Sequence, residues 1–229
     1  MNLNELHQFP KWVNKLTVGI LVALVLVPAY LGLLFAYGAN PTTLNVGYQP
    51  KQPVPYSHAI HVGKLGIDCR YCHNTVEKAG MAAIPPTDTC MNCHRTIWWN
   101  ADPAKWRESL KEVFKSYETG KPIPWIKVHD LPDYVYFNHS AHVNVGLSCV
   151  ECHGQVNKMD ERGVHLVAPL NMAWCLECHR DPIGKLRPKD QVTNLDWVPP
   201  PGQDRRALGK ELAAKYHVNA NTDCVTCHR

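Results

Sequence analysis

The chain has 229 residues, 45% of them hydrophobic, with 18 prolines, only four phenylalanines and a formal charge of +4. So much proline and so little phenylalanine make a poor recipe for a conventional apolar core, so something besides side chains must fill the interior. The small positive charge, with no Lys/Arg-rich block, excludes a nucleic-acid-binding role.

Residues 1–15 precede an uncharged apolar run, Leu16 to Tyr37. At the helical rise that run spans about 33 Å, enough for the hydrocarbon core of a bilayer. Lys11 and Lys15 lie before it and no further Lys or Arg occurs until Lys51. The positive-inside rule therefore assigns 1–15 to the cytoplasm, 16–37 to the membrane and everything after Asn40 to the far side. Trp12, Tyr30 and Tyr37 are placed as interfacial aromatics, and Pro28 is a candidate kink. A cleaved secretory signal is the alternative, with Ala36-Tyr37-Gly38 as small residues for a peptidase. The run is longer than a typical signal core, so a retained anchor is expected.

Residues 38–99 carry two Cys-x-x-Cys-His motifs, Cys69-Arg-Tyr-Cys72-His73 and Cys90-Met-Asn-Cys93-His94. Three more follow: Cys149-Val-Glu-Cys152-His153, Cys175-Leu-Glu-Cys178-His179 and Cys224-Val-Thr-Cys227-His228. They account for all ten cysteines. Two thiols one helical turn apart can each form a thioether with one vinyl group of a haem, and the adjacent histidine is then held under the iron. Redox disulfides and zinc sites are the rival readings of a lone Cys-x-x-Cys. They fail here because every pair is followed directly by His and no cysteine is left over. The spacing therefore predicts five covalently attached haem c groups. Their propionates and ferric irons bring the net charge to about −1, and to about −6 on reduction.

Low-spin irons need second ligands. Of the thirteen histidines, five belong to the motifs and His7 lies before the membrane run. His58, His61, His129, His139, His142, His165 and His217 remain. Tyr56-Ser-His58-Ala-Ile-His61 precedes the first motif and Phe137-Asn-His139-Ser-Ala-His142 the third. Histidines at i and i+3 on a helix point about 60° apart, so one pair cannot grip a single iron from opposite faces. One of each pair is expected to serve its own motif and the other a neighbouring one. His129 is the expected fifth ligand, His217 a candidate for the last motif, and His165 either a ligand or a surface residue. Met172 is the one methionine considered as an axial ligand, against packing on a haem edge.

The paired histidines also expose a duplication. Residues 56–73 match 137–153 with one residue of length difference, and a second motif follows in each copy. The expected modules are 38–99 and 125–182, joined by a helix within 100–124, with 183–229 supplying a linker, a helix and the fifth haem. Asp102 at the N-cap and Pro103 open the joining helix, Trp106, Leu110, Val113, Phe114 and Tyr117 share one face, and Gly120 ends it. A further helix is expected over Arg205–Tyr216, and Asp196–Gly202 reads as an extended linker. Trp98, Trp99, Trp174 and Trp197 are expected to pack on haems or structure.

The stretches HAIHVGKLGIDCRYCH, IPPTDTCMNCH, VHDLPDYVYFNHSAHV and PLNMAWCLECHRDP, with the N-terminal anchor, resemble the pentahaem cytochrome c subunit of alternative complex III. That complex is a bacterial quinol:electron-acceptor oxidoreductase. The resemblance covers nearly the whole chain. It implies a multihaem cytochrome c fold with packing like cytochromes c3 and c7, mostly irregular with short α-helices, plus one transmembrane helix. It also implies a bacterial inner-membrane location with a periplasmic haem domain. The implied partners are an iron–sulfur subunit of molybdopterin-oxidoreductase type, polytopic quinol-binding subunits and a monohaem cytochrome c. The expected role is an electron-transfer subunit of the oxidoreductase rather than its catalytic subunit. Two alternatives are weighed against it. A stand-alone single-helix quinol dehydrogenase normally has its first haem motif close behind the helix, whereas residues 38–68 separate Tyr37 from Cys69 here. A catalytic multihaem reductase needs an iron with an open position, which the surplus of histidines argues against.

Overall fold

The computed structural model describes residues 10–38, 46–97 and 102–229. His7, Trp98, Trp99, Asn100 and Ala101 lie outside these. The chain divides into two compact units, residues 1–44 and Asn45–Arg229.

Within the first unit, helix α1 runs over Lys11–Gly38, 28 residues with Pro28 inside it. It begins one turn earlier than the apolar run, because Lys11, Val13, Asn14 and Lys15 continue the helix without a breaker. Its most apolar stretch of 18 residues has a mean hydropathy of 2.6, and none of the helix's residues is buried. By length and composition α1 is able to cross a bilayer.

The second unit is built from short helices, and no strand occurs among the described residues beyond one isolated bridge between Leu147 and Leu186. Local side-chain chemistry sets where the helices start. The Asp68 side chain accepts from Arg70 N at 2.8 Å and opens α2, Cys69–Cys72. Helix α3 covers Thr87–His94. Asp102 accepts from Ala104 N and Lys105 N, capping α4, Pro103–Ser109, and α5 covers Lys111–Thr119. The expected joining helix is thus two helices, broken where Leu110 adopts φ −106 and ψ 8. Gly120, at φ 68, ends α5 in the left-handed conformation that glycine adopts without penalty.

Asn138 caps α6, His139–Val143, and α7 covers Val150–His153. Asn171 caps α8, Met172–Arg180, and Asp204 caps α9, Arg205–Lys215. Helix α10 covers Cys224–Cys227. In the linker, residues 197–200 have no regular structure before a turn at Gly202.

The apolar interior is sparse. One cluster joins Val54, Met91 and Val113, with Phe114 and Trp125 packed on it. Another joins Leu186, Leu208 and Leu212, with Trp197 and Tyr216 against it. The first includes Met91 of the second motif, with Cys90 against it. The side chains alone leave the motif-bearing region without a continuous core, as the composition implied.

Candidate haem-binding sites

The four-residue helices α2 and α10 each hold one Cys-x-x-Cys, with thiols one turn apart on one side. All ten cysteines are unpaired. Burial raises the Cys72, Cys90, Cys152, Cys175 and Cys178 thiols above their ordinary value, Cys152 to about 12. Among the described residues no group of three or more His, Cys, Asp or Glu side chains is arranged to hold a metal ion. The cysteines are therefore placed as separate thiol pairs, as thioether attachment requires, and not as thiolate cages.

The motif histidines are oriented through the ring nitrogen that faces away from the haem side. Nδ1 of His73 meets Ala83 O at 2.9 Å, that of His179 meets Asn221 O at 2.7 Å, and that of His228 meets Tyr134 O at 3.1 Å. A carbonyl at Nδ1 fixes the tautomer with the proton there and leaves the Nε2 lone pair for a metal. The same device appears at three of the upstream histidines. His61 Nδ1 meets Ser57 O at 2.8 Å, His142 Nδ1 meets Asn138 O at 2.7 Å, and His139 Nδ1 meets Gly80 O at 2.9 Å.

Two imidazoles on opposite faces of one iron, each bonded at about 2 Å, stand with ring centres roughly 6 Å apart. Three pairs have that spacing. His61 faces His94 at 6.0 Å, His142 faces His179 at 6.0 Å, and His139 faces His153 at 6.4 Å. In the second pair His139 faces the motif that follows it and His142 the next one, and in the first pair His61 faces the second motif. His58 holds the position of His139 in the first copy. Burial, with His73 and His61 adding to it, lowers its pKa to about 4. Burial also lowers His153 to about 3 and His129 to about 4. All three are neutral at physiological pH, the form that binds iron.

The remaining candidates fall elsewhere. His129 packs edge-on against His153, ring centres 4.2 Å apart. Its Nε2 is buried without a hydrogen-bond partner, as is Nδ1 of His58 and of His94. His165 lies beside His129. His217, at φ 52, is exposed on the turn after α9. Met172 is 61% exposed at the first position of α8, one turn from Cys175. Among the described residues no imidazole stands opposite His228; its ring neighbour is Tyr134.

A feature the sequence did not signal surrounds the third motif. Glu151, inside that motif, receives Lys185 Nζ at 3.1 Å, Arg187 at 3.2 Å and Arg205 at 3.3 Å. Arg187 is only 2% exposed and lies over the Trp197 ring, 5.2 Å from its centre. Its Nε has no partner. The unpartnered Nε2 of His129, the neutral imidazoles and the ring spacings fit haem groups lying between the motifs.

Residues 135–229 match the family described as cytochrome c7 and related cytochrome c. Over 212 residues, 93% of this chain and 88% of the relative, the sequence is 34% identical to the menaquinone reductase multihaem cytochrome c subunit of Nitratidesulfovibrio vulgaris.

Proposed function

We propose, for a chain that belongs to the multihaem cytochrome c family, the role of a membrane-anchored carrier with five haem c groups that links quinone chemistry to an external electron acceptor. The observation that carries this is the set of histidine pairs at 6.0–6.4 Å, each joining one motif to an upstream histidine. Haem c supplies reversible one-electron chemistry when attached at these motifs.

The chain's residues do the rest. Cys69 and Cys72, Cys90 and Cys93, Cys149 and Cys152, Cys175 and Cys178, and Cys224 and Cys227 hold the porphyrins. His73, His94, His153, His179 and His228 bind from one side. His58, His61, His139 and His142 bind the first four from the other, closing them to external ligands. His129, whose buried Nε2 has no hydrogen-bond partner, would supply a further second ligand. His217 is the candidate second ligand for the last motif, and Met172, one turn before Cys175, is the one methionine that could serve as a ligand. The modules 38–99 and 125–182 are duplicated two-haem units, and 183–229 adds the last. Helix α1 anchors the chain in a bacterial inner membrane with residues 1–15 cytoplasmic and the haem-bearing part in the periplasm.

In the leading reading the chain is a subunit of an alternative-complex-III-like quinol oxidoreductase and passes electrons outward to a periplasmic acceptor. Its partners are an iron–sulfur subunit of molybdopterin type, polytopic quinol-binding subunits and a monohaem cytochrome c. The name of the Nitratidesulfovibrio relative favours a second reading with the opposite direction of flow, into menaquinone. Purification from native membranes tests both. The expected preparation contains five haems per chain, co-purifies with polytopic and iron–sulfur subunits, and is reduced on adding a menaquinol analogue. Reduction only by an external donor, with quinone as the acceptor, selects the second reading. A chain that emerges alone and oxidises quinol overturns the subunit role.

A further inference from the structure

We infer that the five motifs stand in a row whose spatial order is second, first, third, fourth, fifth, so that the second and fifth motifs are its two accessible ends. This rests on the electron-carrier reading above and specifies where redox partners meet it. A donor gives up one electron at one end and an acceptor gains one at the other, with no bond made or broken.

Each adjacency has its own contacts. The second and first motifs touch through their intervening residues, with Asn92 Nδ2 donating to Tyr71 OH at 3.1 Å, and His61 from the lead-in to the first motif faces His94 of the second. The first and third are joined on two sides, and on one of them Thr193, which follows the Val192 whose carbonyl accepts from Ser148 at the entry to the third motif, donates to Asp68, the cap of the first, at 2.9 Å. The loop after the first motif also holds a histidine of the third: Gly80 O accepts from both N and Nδ1 of His139, at 2.9 Å each. The third and fourth are joined by the single turn α6, whose His139 and His142 face His153 and His179. The fourth and fifth are joined where His179 Nδ1 meets Asn221 O, in the lead-in to the last motif. Cys227 O accepts from Tyr136 N at 2.8 Å, which ties the fifth motif to the strand of chain entering α6.

Exposure agrees independently. Of the ten cysteines, Cys93 and Cys224 alone are exposed, and they belong to the two end motifs. Among the described residues no hydrogen bond or ring contact joins the second motif to the third, fourth or fifth. The sequence order therefore misstates the spatial order at its start: the duplication folds the first module back, so that its first motif, not its second, abuts the next module.

Imaging the haem-loaded full chain within its membrane complex by electron cryo-microscopy tests this directly. The irons at the second and fifth motifs are expected to have one near iron neighbour each, and those at the first, third and fourth two each. An iron of the first, third or fourth motif at an end of the row overturns the order. A second test uses His61→Met, which raises the potential of one haem. Spectropotentiometry is expected to report a coupled shift in the haem of the first motif and none in the other three, whereas a shift confined to the third, fourth or fifth overturns the order. Five haems in another arrangement would remove only this inference. Fewer than five haems would remove the reading beneath it.

Discussion

Tyr56 lies flat against His61, ring centres 4.4 Å apart and planes 24° from parallel, and Phe137 repeats the contact on His142 at 4.5 Å and 27°. The same two aromatic rings stand edge-on to His58 and His139, each at 4.8 Å. One aromatic residue thus sets the orientation of both histidines in its pair. Replacing His61 or His142 with Ala is expected to convert one haem per chain from low-spin to five-coordinate high-spin, at the second and fourth motifs respectively. Electron paramagnetic resonance and carbon monoxide titration check it. A fully low-spin His142→Ala protein would rule out the assignment of His142.

The packing of Tyr56 makes a stability prediction of its own. Aromatic pairs contribute about 1 kcal/mol beyond their buried area. Tyr56→Leu is expected to lower stability by about that amount and Tyr56→Phe much less. Thermal unfolding of the haem-loaded protein, followed in the Soret band, measures the difference.

Glu151 and Arg187 give a larger effect. Arg187 is buried and meets Glu151 at 3.2 Å, while Lys185 and Arg205 share the same carboxylate. Removing the carboxylate leaves a buried guanidinium unpaired, so Glu151→Ala is expected to cost about 3 kcal/mol. Arg187→Met removes the buried charge and leaves Glu151 its other two cations, so its cost is expected to be smaller. Chemical denaturation ranks the two, and equal losses would show that the pair is not coupled.

This pair also marks the limit of what the sequence could say. The Cys-x-x-Cys-His motifs, the paired histidines and the capped ends at Asp102 and Gly120 are local patterns, which a chain displays directly. The helix over Arg205–Lys215 was legible in the same way. Arg187 carries no such signal, because its partner lies 36 residues away and its burial depends on Trp197 folding over it. The surroundings of His129 were hidden for a related reason. Its position depends on residues 125–129 being held beside Gln52, whose side chain pairs with Ile126 N at 3.0 Å and Ile126 O at 2.8 Å. That contact places His129 beside His153 of the third motif. The break at Leu110 was hidden too, since its apolar spacing suits one continuous helix.

Asp68 combines a helix cap with an ion pair. It accepts from Arg70 N, its carboxylate meets Arg70 Nε at 2.8 Å, and Thr193 donates to it at 2.9 Å. The Arg70 side-chain hydrogen bond holds its pKa at about 2. A depressed folded-state pKa contributes stability that is complete above the unfolded value of about 3.9 and is lost as pH falls through the folded one. Asp68→Ala is therefore expected to cost about 1 kcal/mol at pH 7, chiefly through the lost cap, with the gap from the parent narrowing as pH falls toward 2. Asp68→Asn retains a capping oxygen and should show an intermediate loss without that acid dependence. Melting temperatures across the pH range check the sign, and a gap that widened in acid would refute it.

Gly209 fixes how the last helix docks. It is buried in α9, and α9 packs on the 3-10 turn Ile183–Lys185 that leads from the fourth motif toward Arg187. A methyl group at Gly209 would run into the Ile183 carbonyl oxygen, which is backbone and has no rotamer to yield. Helix propensity alone favours alanine over glycine by about 1 kcal/mol, so an open site would gain from the change. Here the clash wins: overpacking of this kind costs about 1–3 kcal/mol, and the displaced α9 would carry Arg205 away from Glu151. Gly209→Ala is expected to be destabilising and Gly66→Ala less so, since nothing lies near the Cβ position there and only its φ of 68 opposes the change. Equal melting temperatures for Gly209→Ala and the parent protein would mean that α9 does not bear on the turn.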